Sequence, residues 1–137
     1  MRTKYTVLDL FCGCGGLSEG FRLAGFNIVG GIDFNESAIK TYNHNFKGAK
    51  GLCCNLLEMD QSKITEEFGD LKDIDVIIGG PPCQGYSTVG TRNVNDPRNH
   101  LYLQYCRIVE KVKPDFFVLE NVKGLTTLAG GAFCDGI

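Results

Sequence analysis

The chain has 137 residues, the length of one compact domain, and its 43% hydrophobic content is enough to bury a sizeable core. Its 14 basic residues are outnumbered by 16 acidic ones, so a net charge of -2 excludes a strongly basic protein that neutralises nucleic-acid phosphates by itself. The sequence shows no apolar run long enough for a secretion signal or a membrane span, which predicts a cytoplasmic protein without a membrane partner.

Short apolar segments alternate with helix-like segments along the chain. This alternation predicts an α/β fold in which helices cover both faces of a parallel sheet. The continuously apolar runs at 76–78 and 116–119 are typical of strands buried on both faces, and they are predicted as the central strands. In chain order, the predicted elements are a strand at 5–10, a helix at 17–24, a strand at 27–32, helices at 36–46 and 64–68, a strand at 75–78, a helix at 101–112 and a strand at 116–119.

Local signals indicate where some helices begin and end. Asn35 is predicted to cap the helix that starts at residue 36, and Lys113-Pro114 is predicted to end the helix of residues 101–112. The longest irregular stretch, residues 79–97, is rich in glycine and proline, and connections of this length are usually functional.

A glycine-rich turn follows the first predicted strand, within the sequence DLFCGCGGLSEGF of residues 9–21. Glycines in such a turn let backbone N–H groups approach a ligand, and the following helix start favours an anionic group. Asp33 ends the next strand, about 20 residues further on, where nucleotide-binding folds place a carboxylate on the ribose. The turn and the acid predict an adenosine site. A dinucleotide motif is weakly matched because Ser18 stands at its third glycine, and glycines here can also serve packing alone.

Cys83 is the candidate nucleophile. It follows the strand predicted at 75–78, within the sequence GGPPCQGYS of residues 79–87, and ligands of open α/β sheets bind beyond the carboxyl ends of strands. Pro81 and Pro82 restrict the backbone that leads to this thiol. The seven cysteines have no disulfide-like spacing and no Cys-x-x-Cys pair, so reduced thiols are expected and no metal site is predicted. A cysteine-protease arrangement with His100 lacks a partner to orient the histidine.

Two polar residues, Glu120 and Asn121, stand at the end of the last predicted strand. The apolar strand beside Glu120 is expected to desolvate its carboxylate, which would suit an acid or a hydrogen-bond donor. The alternative is a helix-capping or surface carboxylate. The presence of Cys83 one strand away favours the catalytic interpretation.

Together these motifs resemble those of the cytosine-C5 DNA methyltransferases, which have a cofactor motif like DLFCGCGGLSEGF, a nucleophile motif like GGPPCQGYS and an acid motif like LENV in this order. The resemblance implies a Rossmann-like, S-adenosylmethionine-dependent methyltransferase fold, truncated after about the fifth strand. It also implies methyl transfer to C5 of cytosine in DNA through a covalent adduct with Cys83, with S-adenosylhomocysteine as the product. A role in restriction-modification would follow.

The resemblance assigns roles residue by residue. Catalysis would depend on Cys83 and Glu120, and the substrate would be positioned by Gln84, Ser87, Asn121 and Val122. Asn55 departs from the family, which usually has an aspartate facing the adenine amino group; an amide oxygen can accept that bond more weakly. The cofactor would be bound by Phe11, Gly13, Gly15, Gly16, Asp33, Phe34, Asn55, Pro81 and Leu101.

The family's sequence continues beyond its Glu-Asn-Val motif with a target-recognition domain and C-terminal motifs. Residues 1–137 are therefore expected to be a partial catalytic domain that is inactive alone, with double-stranded DNA as the substrate of the complete enzyme. The strand at 116–119 would become an apolar edge, covered by a C-terminal complement or by self-association. A noncatalytic cofactor-binding subunit and an RNA (tRNA) cytosine methyltransferase remain open as alternatives.

Overall fold

Five parallel strands form one sheet in the order β3-β2-β1-β4-β5. The computed structural model describes residues 4–82 and 101–121, and none of the helices in these ranges is long and apolar enough to span a membrane. The predicted α/β fold with a parallel sheet is confirmed. The elements are β1 (Thr6–Leu10), α1 (Gly16–Leu23), β2 (Asn27–Asp33), α2 (Glu36–Asn45), β3 (Lys50–Cys53), α3 (Gln61–Phe68), β4 (Val76–Gly79), α4 (Leu101–Val112) and β5 (Phe116–Leu119), with short 3-10 turns at Leu56–Glu58 and Leu71–Asp73.

The two faces of the sheet have separate apolar cores, because successive side chains of a strand point to opposite faces. On one face, Leu8 of β1 belongs to a buried cluster with Ile64 of α3 and Ile108 of α4. On the other face, Val7 belongs to a cluster against which Leu17 of α1 packs. The prediction that helices cover both faces is therefore confirmed.

The two continuously apolar strands differ in their position within the sheet. Strand β4 lies between β1 and β5 and is buried along its whole length, so its predicted central position is confirmed. The same prediction is wrong for β5, which is an edge of the described sheet, with Phe116 64% and Val118 41% exposed. An apolar run indicates that both faces of a strand are suited to burial, but it does not distinguish an inner strand from an edge.

Helix α4 is joined to the last two strands through a buried tyrosine. The Tyr105 hydroxyl lies 3.1 Å from the carbonyl oxygen of Ile77 in β4 and 3.0 Å from that of Val118 in β5, and its proton can serve either acceptor. The ring of Tyr105 also meets Phe117 edge to face, with 6.4 Å between centroids. These contacts hold the end of β5 next to β4, which positions the residues that follow both strands.

The helix ends follow their capping residues. The Asn35 side chain accepts a hydrogen bond from the backbone N–H of Ala38, as predicted for the start of α2. Helix α3 begins at Gln61, three residues before its predicted start, because Asp60 caps it by accepting from the N–H of Lys63. Helix α4 ends at Val112 as predicted, and the next residue, Lys113, has a left-handed backbone with φ of 54°.

Strand β3 is the element that the apolar pattern missed. It has only four residues, Lys50–Cys53, without a fully buried side chain, so it shows neither an apolar run nor a clear alternation. Its outer edge is partly satisfied by the Asn43 side chain, whose Oδ1 accepts from the Gly51 N–H at 2.8 Å and whose Nδ2 donates to the Gly51 carbonyl at 3.2 Å. A side-chain amide thus takes the place of a neighbouring strand at this position.

Candidate cofactor and catalytic site

The glycine-rich turn between β1 and α1 has the conformation that its sequence requires. Gly13 and Gly15 have left-handed backbones with φ of 53° and 99°. At Gly15 a Cβ atom would also collide with the ring of Phe46, so the residue is constrained by space as well as by backbone angle. Phe11 adopts φ of 62°, which is unusual for a residue with a side chain and marks the start of the reversal.

Asp33 is held in place by the glycine-rich turn between β1 and α1. Its Oδ2 accepts a hydrogen bond from the Gly13 N–H, and its Oδ1 accepts one from the Asn35 N–H, both at 2.9 Å. The Gly13 amide is therefore engaged within the protein. What this geometry offers to a ligand is a fixed, partly exposed carboxylate whose remaining lone pairs can accept hydroxyl protons.

A cavity of about 280 Å³ lies beside Asp33. It brings together four of the residues that the sequence assigns to cofactor binding, from four separate parts of the chain. The backbone N–H of Cys54 donates to the Asp33 carbonyl at 2.9 Å, which joins one wall of the cavity to the end of β2. The lining consists of Phe11, Phe34, Cys54, Asn55, Leu56, Leu57 and Leu101.

The wall that carries Asn55 is fixed from two sides. The Asn55 Oδ1 accepts from the N–H of Leu57 at 3.1 Å and so starts the 3-10 turn. From α4, the Arg107 guanidinium donates to the carbonyl of Leu56 at 3.3 Å and also to that of Met59. Sequence reasoning did not identify Arg107, since a single arginine on an amphipathic helix gives no sign of the carbonyls it meets.

The ends of β4 and β5 form a second part of the site. The N–H of Glu120 donates to the Gly79 carbonyl at 2.9 Å, and a Cβ atom on Gly80 would lie 3.0 Å from the Glu120 Oε2. Glu120 therefore lies over the backbone that leads through the buried Pro81 toward Cys83. The Glu120 side chain is exposed, so the predicted desolvation of its carboxylate is wrong. Among the described residues, no strand lies beyond β5 to cover this edge of the sheet.

Several predicted residues fall outside the described ranges, and their roles stay predictions. Asn121 is described and is half-buried at the end of β5. The residues outside the described ranges are Cys83, Gln84, Ser87 and Val122.

Comparison with known proteins identifies the family. A family model described as "C-5 cytosine-specific DNA methylase" matches residues 5–135. This chain belongs to that family.

Curated relatives and a solved structure agree with this assignment. The Type II methyltransferase M.AgeI of Thalassovita gelatinovora is 45% identical, and the match covers 92% of this chain and 30% of that protein. M.HgiGI of Herpetosiphon aurantiacus is 39% identical over 85% of this chain and 90% of that protein. A crystal structure described as a DNA modification methyltransferase encoded within a prophage (E. coli) superimposes with a TM-score of 0.84 at 34% identity, covering 97% of this chain and 36% of that one. The predicted methyltransferase fold is confirmed.

The methylase domain also has a larger cleft, of about 790 Å³, between α1 and the end of α2. Gly15 and Gly16 line one end of it, and the Arg22–Glu19 ion pair lies along it. Phe11 and Phe34 do not line this cleft, and Asp33 lines neither the cleft nor the smaller cavity. The smaller cavity has both aromatic walls, and its Cys54 wall is hydrogen-bonded to the Asp33 backbone carbonyl, so it is the better candidate for an adenosine.

A buried polar network beneath the glycine turn was missed from the sequence. Asp9 of β1 is 1% exposed, and its Oδ2 accepts from the Ser18 hydroxyl at 2.6 Å. The Ser18 oxygen lies 3.2 Å from the Tyr42 hydroxyl, whereas the Asp9 Oδ1 has no hydrogen-bond partner among the residues that the structure describes. The sequence carried two signals of this network: an acid inside an apolar strand, and a serine where dinucleotide motifs have a glycine.

Burial dominates the titration of Asp9. It raises the pKa of this carboxyl from 3.8 to about 7, against the lowering effect of the hydrogen bonds from Ser18, and the nearby charge of Asp33 adds to the rise. The Cys12 thiol, also buried beside this network, has its pKa raised for the same main reason. Cys12 is therefore a poor nucleophile and serves as a small apolar residue.

The described cysteines Cys12, Cys14, Cys53, Cys54 and Cys106 are unpaired. Within residues 4–82 and 101–121, no three histidine, cysteine or acidic side chains are grouped so that they could hold a metal ion.

Asp9→Asn should change the pH dependence of stability. Because the pKa of Asp9 is higher in the folded chain than in the unfolded one, its contribution is full below about pH 4 and is lost as the pH rises through about 7. The variant cannot ionise, so its free energy of unfolding relative to wild type should rise by roughly 2 to 3 kcal/mol between about pH 5 and about pH 8. Urea titrations across this range measure the difference.

Asp60→Asn is the matched control. Hydrogen bonds from Ser62 and Lys63 lower the pKa of this exposed carboxyl, so its variant should differ from wild type by a constant amount above about pH 6. A pH-independent difference for Asp9→Asn would show that Asp9 does not titrate in this range.

Proposed function

We propose that the complete protein transfers a methyl group from S-adenosylmethionine to C5 of cytosine in DNA. This chain would supply the cofactor pocket and the reacting residues. The observation that carries the proposal is that the cavity lined by Phe34, after β2, and the Glu120 carboxylate, after β5, lie at the same edge of the sheet. The chain spans about 30% of M.AgeI, so this activity is proposed for the whole protein.

The described residues fit an adenosine. Binding pockets for drug-sized ligands usually have roughly 300–1,000 Å³, so a cavity of about 280 Å³ suits one base. Phe11 and Phe34 offer aromatic surface to its faces, and Asp33 offers carboxylate oxygens to the ribose hydroxyls. When bound, S-adenosylmethionine supplies a methyl group on a positively charged sulfur.

The chemistry requires a nucleophile and a group that stabilises the activated base. Cytosine C5 is too weakly nucleophilic to accept a methyl group directly. Addition of the Cys83 thiolate to C6 makes C5 an enamine carbon, which can accept the methyl group. Loss of the C5 proton to a base then restores the ring double bond and releases Cys83.

Glu120 would hold the N3 and amino edge of the cytosine during this cycle. Its location supports the role, since the Glu120 N–H is bonded to the Gly79 carbonyl and the carboxylate lies where a Cβ atom on Gly80 would approach it, beside the segment that leads to Cys83. A stacked base hides these atoms, so the cytosine must first leave the duplex. The exposure of Glu120 in this chain leaves room for such a base.

DNA is favoured over the two alternatives. The names of the relatives are those of Type II methyltransferases, which supports modification of DNA alongside a restriction enzyme in the cytoplasm or at the nucleoid. In the described part of the chain we find no feature that favours a noncatalytic subunit or an RNA substrate instead.

Asp33→Ala should weaken the binding of S-adenosylhomocysteine. Hydrogen bonds to a charged group contribute roughly 1.5 to 3 kcal/mol, which corresponds to about 10- to 150-fold in Kd by calorimetry. Glu36→Gln is the control. Glu36 is an exposed acid three residues after Asp33, forms an ion pair with Lys40 and does not line the cavity. Unchanged affinity in a folded Asp33→Ala protein would remove Asp33 from the site.

Cys83→Ser in the complete protein should abolish methyl transfer and leave cofactor affinity unchanged. A duplex with 5-fluorocytosine at the target site, incubated with S-adenosylmethionine, provides the measurement, because after methyl transfer to C5 the fluorine cannot leave as a proton does and the Cys83 adduct accumulates. Wild type should form a covalent complex that denaturing gels resolve, and Cys83→Ser should not. Persistent trapping in the variant would mean that another residue attacks C6.

The β5 edge gives a prediction about the 137 residues on their own. We expect them to bind DNA feebly at a net charge of -2 and to show no methyl transfer. We also expect self-association through residues 116–119, unless a C-terminal complement is supplied and pairs with the same edge.

Phe116→Lys should reduce this self-association, since Phe116 is 64% exposed on the edge strand. Leu23→Lys, which changes a 72% exposed residue at the end of α1, is the control. Light scattering coupled to gel filtration measures both variants. Equal masses for wild type and Phe116→Lys would contradict the prediction, and so would an equal effect of Leu23→Lys.

A further inference from the structure

Arg107 connects helix α4 to one wall of the cavity. Its Nη2 atom donates to the Leu56 carbonyl at 3.3 Å and also to the Met59 carbonyl. These two carbonyls belong to the first residue of the 3-10 turn Leu56–Glu58 and to the residue that follows the turn. The turn contributes Leu56 and Leu57 to the cavity lining. One side-chain atom on α4 therefore bridges both ends of a lining segment.

Burial alone does not fix the orientation of this turn. Leu56 and Met59 are buried, but hydrophobic burial is non-directional and sets only the depth of their side chains. The bond of the Asn55 side chain to the Leu57 N–H lies within the segment, so it shapes the turn without tying it to another element. Leu57 itself is exposed. The guanidinium of Arg107, with its rigid fork of donors, is therefore the group that sets which way the turn faces.

The arginine is not the side chain that stability alone would favour at this position. Its Nε atom is buried and has no hydrogen-bond partner within residues 4–82 and 101–121. A buried donor without a partner costs stability, and an apolar side chain of similar length would avoid that cost. The presence of Arg107 is better explained by what its guanidinium positions.

Helix α4 relates this wall to the rest of the site. Its first residue, Leu101, lines the same cavity. The Tyr105 hydroxyl lies within hydrogen-bond distance of the carbonyls of Ile77 in β4 and Val118 in β5, at 3.1 and 3.0 Å. Arg107 therefore fixes the turn relative to a helix that is itself held against the two strands.

We propose that Arg107 is a positioning residue for the cofactor, which holds the Leu56–Glu58 turn against α4 and so places Leu57 in contact with the adenosine. This inference rests on the proposed adenosine pocket. Arg107 does not line the cavity, so it acts through the turn. Loss of the guanidinium should weaken the part of the binding that depends on Leu57. It should not change the part that depends on Phe34, which follows β2 on a different wall.

A double-mutant cycle on the Kd of S-adenosylhomocysteine, measured by calorimetry with the complete protein, tests the proposal. Arg107→Met keeps an apolar stem, removes the donors and should raise the Kd about fivefold or more. Leu57→Ala should raise the Kd of wild type, and its effect should be smaller by at least about twofold in the Arg107→Met background, because side chains that act together are not additive. Phe34→Ala is the matched control and should have the same effect in both backgrounds.

Two further variants complete the design. Lys111→Met removes an exposed basic residue about one turn further along α4, outside the cavity lining, and should leave the Kd unchanged. Arg107→Lys keeps the charge without the fork of donors, so its Kd should lie between those of wild type and Arg107→Met. If Arg107→Met does not fold, the same cycle with Arg107→Lys decides.

A merely structural role for Arg107 would change the effects of Leu57→Ala and Phe34→Ala alike, or neither of them, and either result would overturn the inference. Wild-type affinity in Leu57→Ala would do so too, as would an equal loss of affinity in Lys111→Met. All of these results leave the proposed function intact if wild type binds the ligand. Failure of wild type to bind S-adenosylhomocysteine would overturn both proposals.

Discussion

The Asp33 carboxylate is the constraint on which the rest of the site depends. It accepts from the Gly13 and Asn35 N–H groups, and its own backbone carbonyl accepts from Cys54. Three connections, after β1, β2 and β3, therefore meet at one residue. Charged acceptors form the stronger class of hydrogen bonds, so this junction fixes the relative positions of the turn and of the cavity walls before any ligand is bound. A ligand that used the remaining lone pairs of Asp33 would find them already oriented.

The network below this junction is costly to the fold. Asp9 is nearly fully buried, and one of its oxygens has no hydrogen-bond partner in residues 4–82 and 101–121. Burial of such a group costs stability unless the group is neutral or paired. Ser18 and Tyr42 connect β1 to both helices of that face, and Gly31 makes room for them, since a Cβ there would lie 2.8 Å from the Tyr42 ring. An apolar residue at position 9 would avoid the cost and lose the link to α1. We infer that the position of the turn depends on a group that the core would otherwise exclude.

The sequence predicted the parts of this fold that are set by local chemistry. Asn35 marked the start of α2 because its side chain can satisfy an N–H that the helix leaves free, and that hydrogen bond is present. The resemblance to a family predicted the four cavity residues, and the structure shows that they line one cavity. Strand β3 was missed, and the central position that the apolar run predicted for β5 was wrong, because both depend on which strand lies next to which. The edge position of β5 was predicted only through the resemblance to a family whose sequence continues further. Arg107 was missed for a similar reason, since its carbonyl partners are about 50 residues away.

The strand order brings the two parts of the candidate site to one edge of the sheet. From β1 the chain proceeds outward to β2 and β3 on one side, and β4 and β5 lie on the other. Ligands of open parallel sheets bind where this direction reverses, beyond the carboxyl ends of the strands. The two glycines after Ile78 serve this junction differently. A Cβ on Gly79 would collide with the Leu10 carbonyl, so glycine there allows β4 to approach β1, whereas Gly80 leaves the space that Glu120 occupies. The first glycine thus brings the two halves of the sheet together, and the second makes room for the carboxylate beside the segment that leads to Cys83. A side chain at Gly79 would push β4 away from β1, and a side chain at Gly80 would push Glu120 away from the end of β4.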